Sequence, residues 1–133
     1  MRTLHENLHS DMWYVFKMVS DCLDAVGTDE ALGSAIRPLV HKINTSVVDF
    51  ATRDKRVDAD PVDATTCSMA ELRAHCNAVK ETSLRYINSL TDEEILDNPT
   101  NEVEGSLYFK LEHATFYSAV QIGKMHQILG IDS

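Results

Sequence analysis

Apolar residues recur every three to four positions through four long stretches of this chain, and that period constrains the fold more than any other feature. An α-helix turns 100° per residue, so side chains spaced i, i+3, i+4 and i+7 share one face. Leu4, Leu8, Met12, Val15, Val19, Cys22 and Val26 make the first stripe, in a segment predicted over residues 3–26. Gly27 stops it, and Thr28 is the expected N-cap of the next helix. The second stripe is Ile36, Leu39, Val40, Ile43, Val47 and Phe50, in a segment over residues 29–52. Pro38 falls in its first turns, where it can shift the start or kink the helix. Ser68 and Glu71 make a capping box for a third segment running to Leu90. That segment aligns Met69, Leu72, Cys76, Val79, Ser83, Ile87 and Leu90. The fourth runs from Ser106 to Leu129 and is ended by Gly130.

Two long connections separate these segments. RDKRVDADPVDATT, residues 53–66, carries charge, a proline and no period, and reads as a crossover loop. TDEEILDNPTNEVE, residues 91–104, is the second, with a helical turn expected at Asp92–Leu96. There is no strand-period run of comparable quality and no internal repeat. The prediction is an all-α single domain over residues 1–133, a four-helix bundle with long connections after helices two and three. The short turn at Gly27 predicts helices one and two as antiparallel neighbours. The long loop permits either a parallel or a cross-bundle placement of helix three.

Composition agrees. Apolar residues make up 44% of the 133, with only 5 glycines and 3 prolines among them all. A net charge of −9 repels phosphate backbones and argues against a nucleic-acid partner. The three cysteines, Cys22, Cys67 and Cys76, lack CxxC spacing and do not suggest a disulfide framework. Cys22 and Cys76 fall on apolar faces and are expected as buried free thiols. No signal-peptide core follows Met1, and no run reaches the ~18 apolar residues of a membrane span. The expectation is a soluble, reduced, cytoplasmic protein.

The most conspicuous motif is HENLH, residues 5–9, the His-Glu-x-x-His spacing that presents two imidazoles one turn apart to a zinc ion. A zinc peptidase also needs a third ligand and a substrate-binding sheet ahead of the helix, and only four residues precede His5. His5 and His9 therefore read as the flank of an amphipathic helix, able to capture zinc or nickel weakly. His75 beside Cys76 has no ligand-spaced partner, and His126 lies outside its helix's stripe. DADPVD lacks the spacing and glycine of a calcium loop, so the acidic clusters at 58–63 and 92–94 read as solvated. Trp13 and Tyr14 fall off the first stripe, and exposed aromatics of this kind suggest a homodimer through helix one.

The fourth segment is the most informative. Its stripe is Leu107, Leu111, Ala114, Ser118, Ile122, Met125 and Leu129. Large side chains occupy both ends and small ones the middle. Either an aromatic such as Phe16, Phe50 or Tyr86 fills the space beside Ala114 and Ser118, or a small-molecule ligand does. YSAVQIGKMHQILG, residues 117–130, resembles the end of the last long helix in the DinB/YfiT-like superfamily, through Tyr117, Gln121, Ile122, Leu129 and Gly130. LRYINSLTDEEILDNP, residues 84–99, is similar to that family's third helix and following loop. RPLVHKI, residues 37–43, resembles its second-helix segment.

The resemblance implies a four-helix bundle, often dimeric, with thiol-cofactor-dependent transferases and isomerases among its active members. It further implies a divalent metal, zinc or nickel, held by one histidine of helix two and a His-x-x-x-His pair of helix four. Residue by residue, the first ligand is His41, but the other two positions hold Ala114 and Ser118, which are not metal ligands. A one-residue slip would substitute His113 and Tyr117, rotated by 100° away from the core stripe. Three readings follow. One is a binding or scaffold protein with a degenerate metal site and a pocket at Ala114, Ser118, Tyr117 and Gln121. The second is a metal-dependent transferase or hydrolase that uses His41 with His113, Tyr117 or Gln121. The third is the His-Glu-x-x-His peptidase.

Overall fold

The computed structural model describes residues 3–51, 67–96 and 106–131. Every regular element among them is helical. Helix α1 spans Leu4–Val26, with the Thr3 hydroxyl accepting from the Glu6 amide at 3.2 Å. It ends at Gly27, whose φ of 56° is one that a side chain would strain. Helix α2, Glu30–Ser46, is capped by Asp29 rather than by the predicted Thr28. The Asp29 carboxylate accepts from the amides of Ala31 and Leu32, at 3.0 and 3.1 Å. One charged acceptor serving two orphan amides at a positive helix end outdoes a hydroxyl.

Pro38 sits on the exposed side of α2, and the α-helix continues through it. At Val47 the hydrogen-bonding pattern widens into a π-helix, Val47–Ala51. Helix α3, Met69–Ser89, opens on the predicted capping box, with Ser68 and Glu71 bonded reciprocally at 3.1 and 3.3 Å. The short helix α4, Asp92–Leu96, forms where a helical turn was expected. Its three exposed acids line the first turn, where the helix end favours negative charge, instead of lying in a loop. Helix α5, Leu107–Leu129, starts at Ser106 and stops at Gly130, φ 71°. The predicted crossover loop and residues 97–105 of the second connection lie outside the described residues.

Side-chain pairings give the directions. Arg73 at the start of α3 bonds Asp24 near the end of α1 at 2.8 Å, and His5 at the start of α1 bonds Asp92 of α4 at 3.1 Å. These two helices are therefore antiparallel. The Asp11 charge, in the first half of α1, acts on Tyr108 and Glu112 in the first half of α5, a helix of the same 23 residues, so α1 and α5 are parallel. Gly33 of α2 abuts Met69 of α3 so closely that a Cβ there would come within 3.3 Å of the sulfur. Helices α2 and α3 thus start at the same end and run parallel. Of the two placements the sequence left open for helix three, the structure adopts the parallel one.

Helix α1 packs chiefly on α3 and α5, and α2 chiefly on α5. The contact between α1 and α2 is smaller. The helices joined by the shortest turn are therefore not each other's main neighbours, as the sequence had suggested. The flanks of α1 explain this: Phe16 and Leu23 border the α3 groove, while Val15 and Met18 border the α5 groove.

The predicted stripes form one core. Leu8, Met12, Val19, Val26, Ile36, Val40, Ile43, Leu72, Val79, Ile87, Leu107, Leu111 and Met125 are all buried in it. Phe16 and Tyr86 are buried there too. All three cysteines are free and buried. Burial, with Asp21 nearby, pushes the Cys22 thiol up to about 11. Burial also raises Cys76, against the opposing effect of an Asn44 Nδ2 hydrogen bond to its Sγ at 3.4 Å. No helix among the described residues is long and apolar enough to cross a membrane.

Two measurements check this packing. Ile43→Ala is expected to cost about 2–5 kcal/mol in urea unfolding, because a fully buried methyl-bearing chain is replaced by a cavity. At neutral pH, Cys22 in the folded protein should react with a maleimide at least about 100-fold more slowly than in urea, as burial both closes off the sulfur and raises the thiol.

Candidate functional site

The groove with the most varied chemistry lies between α2 with its π turn and α5. It has a volume of about 330 Å³ and is lined by His41, Lys42, Thr45, Ser46, Asp49, His113 and Tyr117. His41 and His113 are exposed, and Tyr117 is half-buried. The His113 ring stacks on Phe109, with centroids 6.3 Å apart and planes at 26°. The structure thus gathers His41, His113 and Tyr117, three of the residues singled out in the sequence, along one cleft. It also adds Asp49, which the sequence reading did not select.

The other three face inward. Ala114 and Ser118 are 0% exposed and Gln121 is 3% exposed. Ala114 and Ser118 each follow a groove-lining residue, His113 and Tyr117, by one position. The Ser118 hydroxyl and the Gln121 carbonyl oxygen have no hydrogen-bond partner among the described residues, nor does the Asn44 carbonyl oxygen. Buried polar groups left in this state cost stability. Phe16 and Tyr86, two of the aromatics expected to fill the middle of the core, are buried, and the side chain of Phe50 lies outside the described residues.

Asn44, Ser46 and the π turn were not anticipated. Ser46 is buried and its hydroxyl donates to the Ile43 carbonyl at 2.9 Å. The signal available was the run Asn44-Thr45-Ser46, whose short polar side chains compete for backbone groups in mid-helix. A π-helix widens one turn, and such turns recur at functional sites.

The metal implied by the family resemblance does not fit this set of residues. Two of its three ligand positions present a methyl and a hydroxyl group. Among the described residues no group of three or more His, Cys, Asp or Glu side chains could hold a metal ion. His41, His113 and Asp49 share a cleft without forming such a group.

The HENLH segment lies at the opposite edge of the molecule. His5, Glu6, His9, Ser10 and Asn88 line a shallow groove between α1 and α3. One ring nitrogen of His5, Nδ1, is engaged by Asp92, and the other, Nε2, is buried. His75 and His126 are half-buried on separate helices.

A further groove, of about 300 Å³, separates α1 from α5. Asp11 and Glu112 face each other across it, beside Tyr14, Met18 and Phe116. Burial first, and the Asp11 charge second, hold the Glu112 carboxyl above its usual range. Glu112 in turn raises the Tyr108 phenol.

No family model matches this chain, and comparison with curated proteins and with solved structures finds no similar protein.

Two substitutions probe these environments. Ser118→Ala should be neutral or stabilising by up to about 1 kcal/mol, since it removes a buried hydroxyl that has no partner. A loss of more than that would place an unseen partner on the hydroxyl. Glu112→Gln should raise the midpoint of thermal unfolding at pH 7 by about 2 °C. The folded state holds the Glu112 proton more tightly than the unfolded state. Stability therefore falls as pH rises from the ordinary carboxyl range through the raised value, and the penalty is complete above it. The gain from Glu112→Gln should accordingly shrink toward zero as the pH is lowered through that range.

Proposed function

We propose that this chain is a DinB-like four-helix bundle with a degenerate metal site, and that it binds a small molecule in the groove between α2 and α5. The observation that carries this reading is the division of labour on α5. Ala114 and Ser118, at the positions where the resemblance expects histidines, are closed into the core, while His113 and Tyr117 beside them face His41 across a cleft. That cleft offers two imidazoles, an ammonium, a carboxylate, a phenol and a threonine hydroxyl. A small polar ligand can be hydrogen-bonded from both walls there. Its volume falls at the lower end of small-molecule sites.

A fragment screen by NMR tests the proposal. Bound fragments should shift the amides of Thr45, Asp49, His113 and Tyr117, and His41→Ala together with His113→Ala should weaken them by about tenfold, the worth of one or two hydrogen bonds. A screen whose hits all fall elsewhere would remove the proposal.

His41 and His113 along one cleft support a second reading, in which side chains that do not stand as a metal group in this structure close on a divalent metal, and the chain is an enzyme of the same lineage. Metal analysis of protein purified without a histidine tag separates the two. The binding reading expects far less than one equivalent of zinc or nickel. One equivalent that disappears with His41→Ala supports the metalloenzyme, and one that disappears only with His5→Ala or His9→Ala moves the metal to HENLH.

A further inference from the structure

The face between α1 and α5 combines two features that the α2–α5 groove leaves unexplained. The first is apolar exposure. Phe116 is 72% exposed and Tyr14 57%, with Met18 beside them in the same groove and Trp13 meeting the Tyr14 ring edge-on at 5.6 Å. Rings and a thioether left in water on adjacent helices form a surface that gains from being covered.

The second is charge. Asp11 from α1 and Glu112 from α5 line the same groove, and neither has an ion-pair partner among the described residues. Two carboxylates sharing a partly desolvated cleft repel each other, and each would gain from a cation placed between them. Ring faces flanked by carboxylates and a methionine provide the chemistry that recognises an alkylammonium: electrostatic attraction to the aromatic faces, ion pairing at the rim and apolar contact for the body. The net charge of −9 selects the same sign of ligand. A second copy of the chain would bring the same surplus of acid to this rim.

We propose that the α1–α5 groove binds an organic ammonium cation, with its charged head between Asp11 and Glu112 and its apolar body against Tyr14, Met18 and Phe116. The site is open, so binding is modest and specificity comes from charge.

The test is an NMR titration of nitrogen-15-labelled protein with benzyltrimethylammonium chloride at constant ionic strength. Benzyl alcohol, a neutral ligand with the same ring, serves as the control. The expected result is saturable shifts of amides around Asp11–Met18 and Glu112–Ala119. The alcohol should bind about fivefold or more weakly, and Asp11→Asn with Glu112→Gln should weaken the cation by about five- to tenfold while leaving the alcohol unchanged. Phe116→Ala should weaken both ligands. Asp11 and Phe116 are exposed and Glu112 is half-buried, and the thermal midpoint of the double variant, expected to be no lower than that of the parent, verifies that it is folded. The proposal is overturned by the absence of saturable shifts, by equal binding of cation and alcohol, or by a double variant that binds the cation as well as the parent. A dimer seen by light scattering and broken by Phe116→Glu would also overturn it, by assigning the face to a second copy.

Discussion

Helix α5 is the surface against which α1, α2 with its π turn, and α4 bury their apolar side chains. Its inward stripe is narrow, with bulky residues near the ends and Ala114 and Ser118 between them. The helices that touch α5 are arranged around that constraint, and α3 packs on α1 behind them. Because the middle of the stripe is small, the neighbouring helices can approach, and because it is narrow, both flanks of α5 stay partly open. The two grooves richest in chemistry lie along those flanks, one toward α2 and one toward α1. They differ in character. The first has donors and acceptors of both signs, and the second has acids and aromatic rings.

Much of the fold was legible in the sequence because helix boundaries are written in residues with strong local physics. Ser68 caps α3 through the box its spacing with Glu71 predicts, Gly27 and Gly130 end helices with positive φ, and Thr3 and Ser106 stand at the starts that periodicity gave, though periodicity did not mark them as caps. The four stripes predicted most of the buried residues, since burial of one helical face is the dominant energetic term, but Leu4, Leu39, Met69 and Leu129 are only half-buried, and Phe16 and Leu23 are buried off the stripe of α1. What the sequence could not weigh were choices between near-equal options. Asp29 took the cap from Thr28 because a carboxylate reaches two amides. Helix pairing followed the flanks of α1, which a two-sided period does not rank.

The candidate sites were less legible. His41, His113 and Tyr117 were each identified, but their meeting in one cleft depends on how α2 and α5 face each other, and periodicity within a single helix carries no information on that. Asp49 joined them through the π turn, which no hydrophobic pattern announces. The pairing of Asp11 with Glu112 rests on α1 and α5 running parallel. That direction follows from the even number of reversals between them and could not be read from either helix alone. Buried Ser118, Gln121 and Asn44 mark where the sequence departs from simple patterning, and such departures concentrate at functional or strained positions.

The π turn at the end of α2 has one more consequence. It accommodates a residue beyond what a regular helix of the same length would hold. Losing one residue at Val47 or Val48 would let the helix wind on as an ordinary α-helix, and because the wide turn had absorbed that residue, the side chains beyond it would keep their directions. Asp49 would then stay on the cleft wall with His41, Lys42 and Thr45. The wide turn is therefore a splice point in this wall: the chain can shorten there by one codon and still present a cleft of mixed charge.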